Sequence, residues 1–181
     1  MTLPNLLSVL RMALVPLFVV AVLDGRPGRA LAVVAVAGVT DALDGFIARF
    51  WRQQSALGAY LDPAADKMLL VAAYVVLAIP NLHDGLTVPA WISALVITRD
   101  IVIVVVALVL HLAAGVRRFP PSPVSKVNTA AQVIAVLLVL ISGLTPRAEL
   151  PATVAIYLVA GLTLASGIDY IYRSNRMAGS R

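Results

Sequence analysis

Residues 41–66 read DALDGFIARFWRQQSALGAYLDPAAD and form a polar island in an otherwise apolar chain. Four of the nine acidic residues lie in this island, at Asp41, Asp44, Asp62 and Asp66. Aspartates three or four positions apart share one face of a helix, so the four residues form two pairs. Two such pairs on facing helices make an oxygen-rich cage, which suits hard divalent cations such as Mg²⁺ or Mn²⁺ better than zinc or copper. The island therefore predicts two helices that meet at a divalent cation site.

Composition places the whole chain, residues 1–181, in one integral membrane domain. The chain is 61% hydrophobic and 13% charged, whereas soluble proteins have about 25% charged residues. The absence of cysteine excludes disulfides, thiolate metal sites and cysteine nucleophiles. The net charge of +5 comes from scattered bases with no long run, which indicates basic loops beside anionic lipid and argues against nucleic acid as a partner.

Six apolar segments have about the 20 residues that a membrane-spanning helix needs. They are predicted at residues 6–23, from 30 through 44, 60–79, 88–114, from 125 onward, and 151–171. The fold class is therefore all-α, with six transmembrane helices. The stretch from Arg49 to Leu57 is amphipathic and is expected to lie at the membrane interface.

Six spans place both termini on one side of the membrane, and loop charge indicates which side. Eight bases lie on the side of the termini and three on the opposite side; the eight are Arg49, Arg52, Arg117, Arg118, Lys126, Arg173, Arg176 and Arg181. Positive charge accumulates on the cytoplasmic side of membrane proteins. Both termini and the polar island are therefore predicted to face the cytoplasm.

The aspartates belong to a longer pattern, Asp41-x2-Asp44-Gly45-x2-Ala48-Arg49-x8-Gly58-x3-Asp62-x3-Asp66. At every defined position it resembles the motif of the CDP-alcohol phosphotransferases, integral membrane enzymes of phospholipid synthesis. Eight defined residues at fixed gaps rarely arise by chance. The resemblance implies the fold of that family, a homodimer, and two Mg²⁺ or Mn²⁺ ions that hold the diphosphate of a CDP-linked lipid.

The resemblance also implies roles for the aspartates. Asp41, Asp44 and Asp62 are expected to ligate metal, the first two beside the bound CDP. Asp66 is expected to share in metal binding and to act as general base on the acceptor hydroxyl.

The other motif residues are expected to contact the nucleotide. Gly45, Ala48 and Gly58 are small and leave room for close approach of a phosphate, and Arg49 suits the diphosphate or an ion pair with Asp44 or Asp41. Taken singly, the small residues are more typical of helix packing in membranes, and the arginine is typical of an interfacial anchor. Their joint spacing with the aspartates favours the nucleotide site.

Outside the island, five residues are candidates for binding the acceptor: Arg11, Lys67, Arg99, Lys126 and Asn128. A structural ion pair of Arg99 or Asp100 with other helices is equally compatible with the sequence. The two are not expected to pair with each other, because neighbours on a helix point about 100° apart. Lys126 and Asn128 also fit snorkelling toward headgroups, and Lys67 fits a pair with Asp66.

Two further segments resemble a branch of the family that moves a phosphatidyl group from CDP-diacylglycerol to an alcohol and releases CMP. Arg99-Asp100 and Ser125-Lys126-Val127-Asn128-Thr129 are similar to the cardiolipin synthases, whose acceptor is phosphatidylglycerol. A short linker, Arg117 to Pro123, keeps the phosphatidylglycerophosphate synthases, whose acceptor is glycerol 3-phosphate, as the alternative.

A small cation transporter is the competing class, because paired carboxylates in a membrane also line ion pathways. A conducting path needs polar groups across the bilayer, whereas the halves of the spans away from the island are apolar. The enzyme is therefore the preferred interpretation. Its predicted location is a bacterial-type inner membrane, with the mitochondrial inner membrane as the second choice, and the membrane lipids are its surroundings and substrates.

Overall fold

The computed structural model of the protein is a helical bundle, in agreement with the predicted all-α class. It describes the backbone of residues 3–51, 58–114 and 123–178, and the side chains of residues 9–41, 67–105 and 123–170. The described backbone forms six α-helices and contains no strand. They are α1 (Leu3–Leu23), α2 (Pro27–Trp51), α3 (Gly58–Val76), α4 (Ala90–Ala114), α5 (Pro123–Ser142) and α6 (Glu149–Ala178), with one 3₁₀ turn at Pro146–Ala148.

Proline and glycine set several of the helix boundaries. Pro27 and Pro123 are the first residues of α2 and α5, where the missing N–H costs nothing because the first turn has no intrahelical acceptor for it. Gly25 has a positive φ of 64° in the turn after α1, a conformation that glycine adopts without strain. The sequence therefore specifies tight turns between its apolar segments.

The helices agree with the predicted spans in number and order, and several extend further. α2 continues through Trp51, so Arg49 is part of this helix, while residues 52–57 lie outside the described part of the chain. Among the described residues, two segments are long and apolar enough to cross a membrane, Pro123–Ser142 and Pro146–Tyr170. Shorter apolar helices cover Val9–Leu23 and Lys67–Val76. The six-span topology stays a prediction.

Packing divides the bundle into two groups of helices. α1 packs against α2 and α3, and α5 packs against α6, while contacts of α4 with α3 and α6 and of α5 with α2 and α3 join the two groups. Fully buried apolar side chains such as Phe18, Leu77, Ile92 and Ile156 fill the interior. Large apolar side chains, including Leu150 and Ile168, are exposed on the outside. An apolar exterior around a packed core fits a protein surrounded by lipid.

Three helix connections meet at the end of the bundle opposite the polar island. Leu86 N–H donates to Ser142 Oγ at 2.9 Å, joining the α3–α4 connection to the end of α5. A Cβ on Gly85 would lie 2.5 Å from the backbone N of Gly143, and a Cβ on Gly143 would lie 3.1 Å from Pro27 Cβ. These backbones touch because glycine has no side chain. These contacts hold the helix ends together, and the polar island lies at the opposite end of the bundle.

We expect Gly85→Ala to destabilise the protein more than Gly25→Ala does. Both glycines have positive φ, 95° and 64°, so both alanines incur backbone strain of about 1–2 kcal/mol. Only the Gly85 variant also forces two backbones apart, which adds about 1–3 kcal/mol, because nothing lies within 4 Å of a Cβ on Gly25. Thermal unfolding midpoints of the purified proteins in detergent test this. Equal midpoints for the two variants would show that the loop contact contributes nothing.

Candidate active site

The predicted metal ligands lie on two helices that both pack against α1. α2 carries Asp41 and Asp44, together with Gly45, Ala48 and Arg49, and α3 carries Gly58, Asp62 and Asp66. Both segments are helical, and a spacing of three or four residues is the spacing of side chains on one face of a helix. The side chains of residues 42–66 lie outside the described part, so the meeting of the two pairs stays a prediction.

Asp41, the one predicted ligand with a described side chain, is paired with Arg11 of α1. Its Oδ1 lies 3.2 Å from Arg11 Nη1. The arginine side chain is 1% exposed and the aspartate side chain 58% exposed, so the guanidinium anchors the carboxylate from inside the bundle. A buried guanidinium needs such a partner. Arg11, predicted to bind the acceptor, thus lies beside a predicted metal ligand.

The donor chemistry of the island fits a hard divalent cation. The four candidate ligands are all carboxylates, the type of ligand that Mg²⁺ and Mn²⁺ prefer, and Asp41 stays exposed enough to be reached by a cation. Among the described side chains, no three His, Cys, Asp or Glu residues cluster. The side chains of Asp44, Asp62 and Asp66 are not among them, so the full ligand set stays a prediction.

The buried carboxylate of Asp100 on α4 forms ion pairs with two bases. Its Oδ2 lies 2.6 Å from Lys67 Nζ on α3, and its Oδ1 lies 2.7 Å from Arg99 Nη1. The side chains of Arg99 and Asp100 are each 6% exposed, and that of Lys67 is 35% exposed. Burial strengthens these interactions and also makes the loss of either partner costly. Asp100 therefore fixes the positions of both bases.

The expectation that neighbouring Arg99 and Asp100 do not pair with each other is wrong. The Cβ directions do diverge along the helix, but the arginine side chain is long enough for its guanidinium to fold back to the adjacent carboxylate. Arg99 Nη2 also donates to Ser125 Oγ of α5 at 2.7 Å and to Ser166 Oγ of α6. One guanidinium therefore links three helices.

The charged cluster borders a cavity of about 510 Å³ between α3, α4 and α5. Among the described side chains, three bases and one acid line it, Lys67, Arg99, Lys126 and Asp100, with the hydroxyl-bearing residues Ser125 and Thr129. We call this space the basic cavity. Three cations against one carboxylate leave an excess of positive charge, and an anionic group such as a phosphate complements that excess. Lys67, which lines this cavity, directly follows the predicted base Asp66 in α3.

Asn128 occupies a different place from the other acceptor candidates. It is fully buried, and its Oδ1 accepts a hydrogen bond from Thr163 Oγ1 of α6 at 3.2 Å. It does not line the basic cavity. An amide between two apolar helices stabilises their packing. The structure thus brings Lys67, Arg99 and Lys126 together and places Asn128 between α5 and α6.

Sequence reasoning missed three residues of this site. The sequence predicts an ion pair for Asp100 but does not group it with the acceptor candidates, although a lone acid beside an intramembrane arginine is itself a signal of charge compensation. Ser125 belongs to the polar start of α5, which the sequence marks. Ser166 carries no signal, because a single serine in an apolar helix is common and its partner is 67 positions away.

Similarity to known proteins agrees with the family motif in residues 41–66. Residues 1–165 match the model of the CDP-alcohol phosphatidyltransferase family. The chain is 37% identical over 151 residues to cardiolipin synthase (CMP-forming) of Rattus norvegicus, covering 75% of this chain and 48% of the relative. The chain thus spans about half the length of that relative.

The match extends over more of the length of two bacterial relatives than of the rat protein. The CDP-diacylglycerol–glycerol-3-phosphate 3-phosphatidyltransferase of Haemophilus influenzae is 34% identical, over 93% of this chain and 90% of the relative. The probable phosphatidylglycerophosphate synthase of Mycobacterium tuberculosis is 32% identical, over 98% and 83%. Similarity to proteins of both names leaves the choice of acceptor between them open.

We expect Asp100→Asn to lower stability by about 3–5 kcal/mol, because it leaves the buried Arg99 guanidinium and Lys67 without their shared counter-charge. The same change at Asp84, an exposed residue of the α3–α4 connection, is the matched control and should cost under about 0.5 kcal/mol. Chemical unfolding of both variants in detergent measures the difference. Similar stabilities of the two variants would contradict a structural role for the Asp100 charge.

Proposed function

Since the chain belongs to the CDP-alcohol phosphatidyltransferase family, we propose that it transfers a phosphatidyl group from CDP-diacylglycerol to an alcohol and releases CMP. The observation that carries the proposal is the basic cavity, which begins at Lys67, one residue after the predicted base Asp66. An anionic acceptor bound in this cavity would lie beside the residue that follows the proposed base in α3. Family membership and the apolar helices indicate a membrane protein.

The donor is proposed to bind at the polar island. Asp41, Asp44, Asp62 and Asp66 would hold one or two divalent cations, Mg²⁺ or Mn²⁺, in keeping with the general use of divalent metals in this family. Bound cations neutralise the charge of a diphosphate and make CMP a better leaving group. Gly45, Ala48 and Gly58 would leave space for the nucleotide, and Arg49 would contact the diphosphate.

The acceptor is proposed to enter the basic cavity. Lys126 and Arg99 would bind its phosphate, while Asp100 holds Arg99 and Lys67 in place. Asp66 would take the proton of the acceptor hydroxyl. The hydroxyl oxygen then forms a bond to the phosphorus that bears diacylglycerol, the bond from that phosphorus to the bridging oxygen breaks, and CMP leaves with that electron pair. Atoms and charge balance without a further reactant.

Phosphatidylglycerol is the acceptor we propose, which makes the protein a cardiolipin synthase. Support comes from the Arg99-Asp100 and Ser125–Thr129 patterns and from similarity to the rat cardiolipin synthase. Glycerol 3-phosphate is the second candidate, favoured by similarity to the Haemophilus and Mycobacterium proteins along nearly the whole chain.

The arrangement in the membrane is also a proposal. Six spans, both termini in the cytoplasm, an active site facing the cytoplasm and a homodimer would be consistent with loop charge and with the family. The closed loops at the far end of the bundle support one open end. A bacterial-type inner membrane is the proposed location.

Purified protein with Mg²⁺ or Mn²⁺ and CDP-diacylglycerol tests the activity. CMP should be released when phosphatidylglycerol or glycerol 3-phosphate is added, and mass spectrometry of the lipid product identifies the acceptor. A cation transporter would release no CMP. Failure of both acceptors under both metals would reject the proposed reaction.

We expect Asp66→Asn to reduce the rate of CMP release by at least 100-fold, because an amide cannot accept the hydroxyl proton. Circular dichroism and the unfolding midpoint should stay close to those of the wild type. Asp24→Asn, in the turn between α1 and α2 at the far end of the bundle, is the matched control and should keep full activity. Full activity of the Asp66 variant would remove this residue as base.

A further inference from the structure

A second cavity lies beside the basic cavity, on the side of α4 that faces α6. It has a volume of about 290 Å³ and is lined by α4 residues between Leu95 and Ile103 and by α6 residues between Thr163 and Tyr170. We call it the α4–α6 groove. Its walls are mainly aliphatic, and exposed side chains such as Val102, Leu164 and Ile168 form its rim. The groove therefore suits a hydrocarbon chain.

The two cavities share two lining residues, Arg99 and Ile103. The Arg99 guanidinium contacts Asp100, Ser125 and Ser166, while its Nε is buried and has no hydrogen-bond partner in the described part of the protein. Arg99 is thus the boundary between a space with excess positive charge and a space with aliphatic walls.

We propose that the α4–α6 groove holds an acyl chain of the acceptor, and that the acceptor is therefore a phospholipid whose phosphate lies in the basic cavity. A molecule with an anionic headgroup joined to a hydrocarbon chain matches the order of the two spaces across Arg99. Glycerol 3-phosphate would fill the basic cavity and leave the groove unused. The inference rests on the proposed function and names the substrate class of its acceptor site.

Another apolar groove provides a contrast within the same protein. It lies between α5 and α6, has about 520 Å³, and is lined by residues such as Ile134, Leu150 and Leu158, with no charged side chain among the described residues that line it. Any lipid can fill such a surface, since nothing there recognises a headgroup. The two lining residues that it shares with the basic cavity distinguish the α4–α6 groove.

The length of the groove fits part of one chain. From Leu95 to Ile103 the helix rises by about 12 Å, at about 1.5 Å per residue. Tyr170 bridges α6 to α4 near one end, where its hydroxyl donates to the carbonyl oxygen of Ile103 at 3.2 Å. The chain would lie along the remaining length, beside Gly167, where a Cβ would meet nothing within 4 Å.

Gly167→Leu tests the proposal, because a Cβ at this position meets nothing within 4 Å and the longer side chain occupies space at the wall of the groove. We expect the KM for dioleoyl phosphatidylglycerol to rise about tenfold through loss of methylene burial. The KM for dihexanoyl phosphatidylglycerol and that for CDP-diacylglycerol should change less than twofold. Gly161→Leu makes the same change on the same helix, also in open space and outside the groove, and should leave all three values unchanged.

Several outcomes would overturn the proposal. Equal effects of the two leucine variants would show that the groove has no special role. A rise in the KM for CDP-diacylglycerol would assign the groove to the donor. Turnover of glycerol 3-phosphate with none of phosphatidylglycerol would reject a lipid acceptor while leaving the phosphatidyltransferase activity intact.

A binding measurement separates this inference from the proposed reaction. Phosphatidylglycerol with a photoreactive diazirine in one acyl chain should label α4 within residues 95–103 and α6 within residues 163–170. Gly167→Leu should reduce that labelling and Gly161→Leu should not. Label spread evenly over the outer helix faces would contradict the proposal. If labelling is selective but no acceptor releases CMP, the proposed reaction fails and the lipid site stands.

Discussion

Compensation of buried charge organises this bundle. A charged side chain within a membrane span costs about 2.5–3.5 kcal/mol on insertion scales, and the described ion pairs offset this cost between helices. Arg11 on α1 contacts Asp41 on α2, and Lys67 on α3 contacts Asp100 on α4. Each pair joins two consecutive helices, so these ion pairs also help to fix the helix positions.

Arg99 extends the same principle to the later helices. Its guanidinium contacts α5 through Ser125 and α6 through Ser166, while the described backbones of α4 and α5 do not approach closely. The basic cavity occupies the space between them. A single planar group with several donors can therefore hold the helices around a cavity, whereas direct packing of α4 on α5 would remove that cavity.

The two ends of the bundle differ in their contacts and in their polarity. At one end, glycine backbones and the Leu86–Ser142 hydrogen bond bring three connections together, which fixes the helix ends relative to one another. Toward the other end lie the polar island and the basic cavity. Fixing one end tightly allows a cavity near the other without loss of the fold, because the core between them stays packed.

The sequence by itself determined the helical class, the number and order of the helices, and the polar island with its family motif. These features are local: apolar length, aspartate spacing along one helix and turn residues are all properties of neighbouring positions. The family match over residues 1–165 agrees with that motif.

Tertiary structure alone decided which charges meet. The sequence argued against the Arg99–Asp100 pair, grouped Asn128 with Lys126, and gave no reason to connect Ser166 with Arg99. Their contacts depend on helices brought together from positions as many as 67 residues apart, and on the reach of a long side chain. The adjacency of a basic and an aliphatic cavity at Arg99 likewise arises from three-dimensional packing, because local periodicity shows which face of a helix is polar but not which helix that face meets.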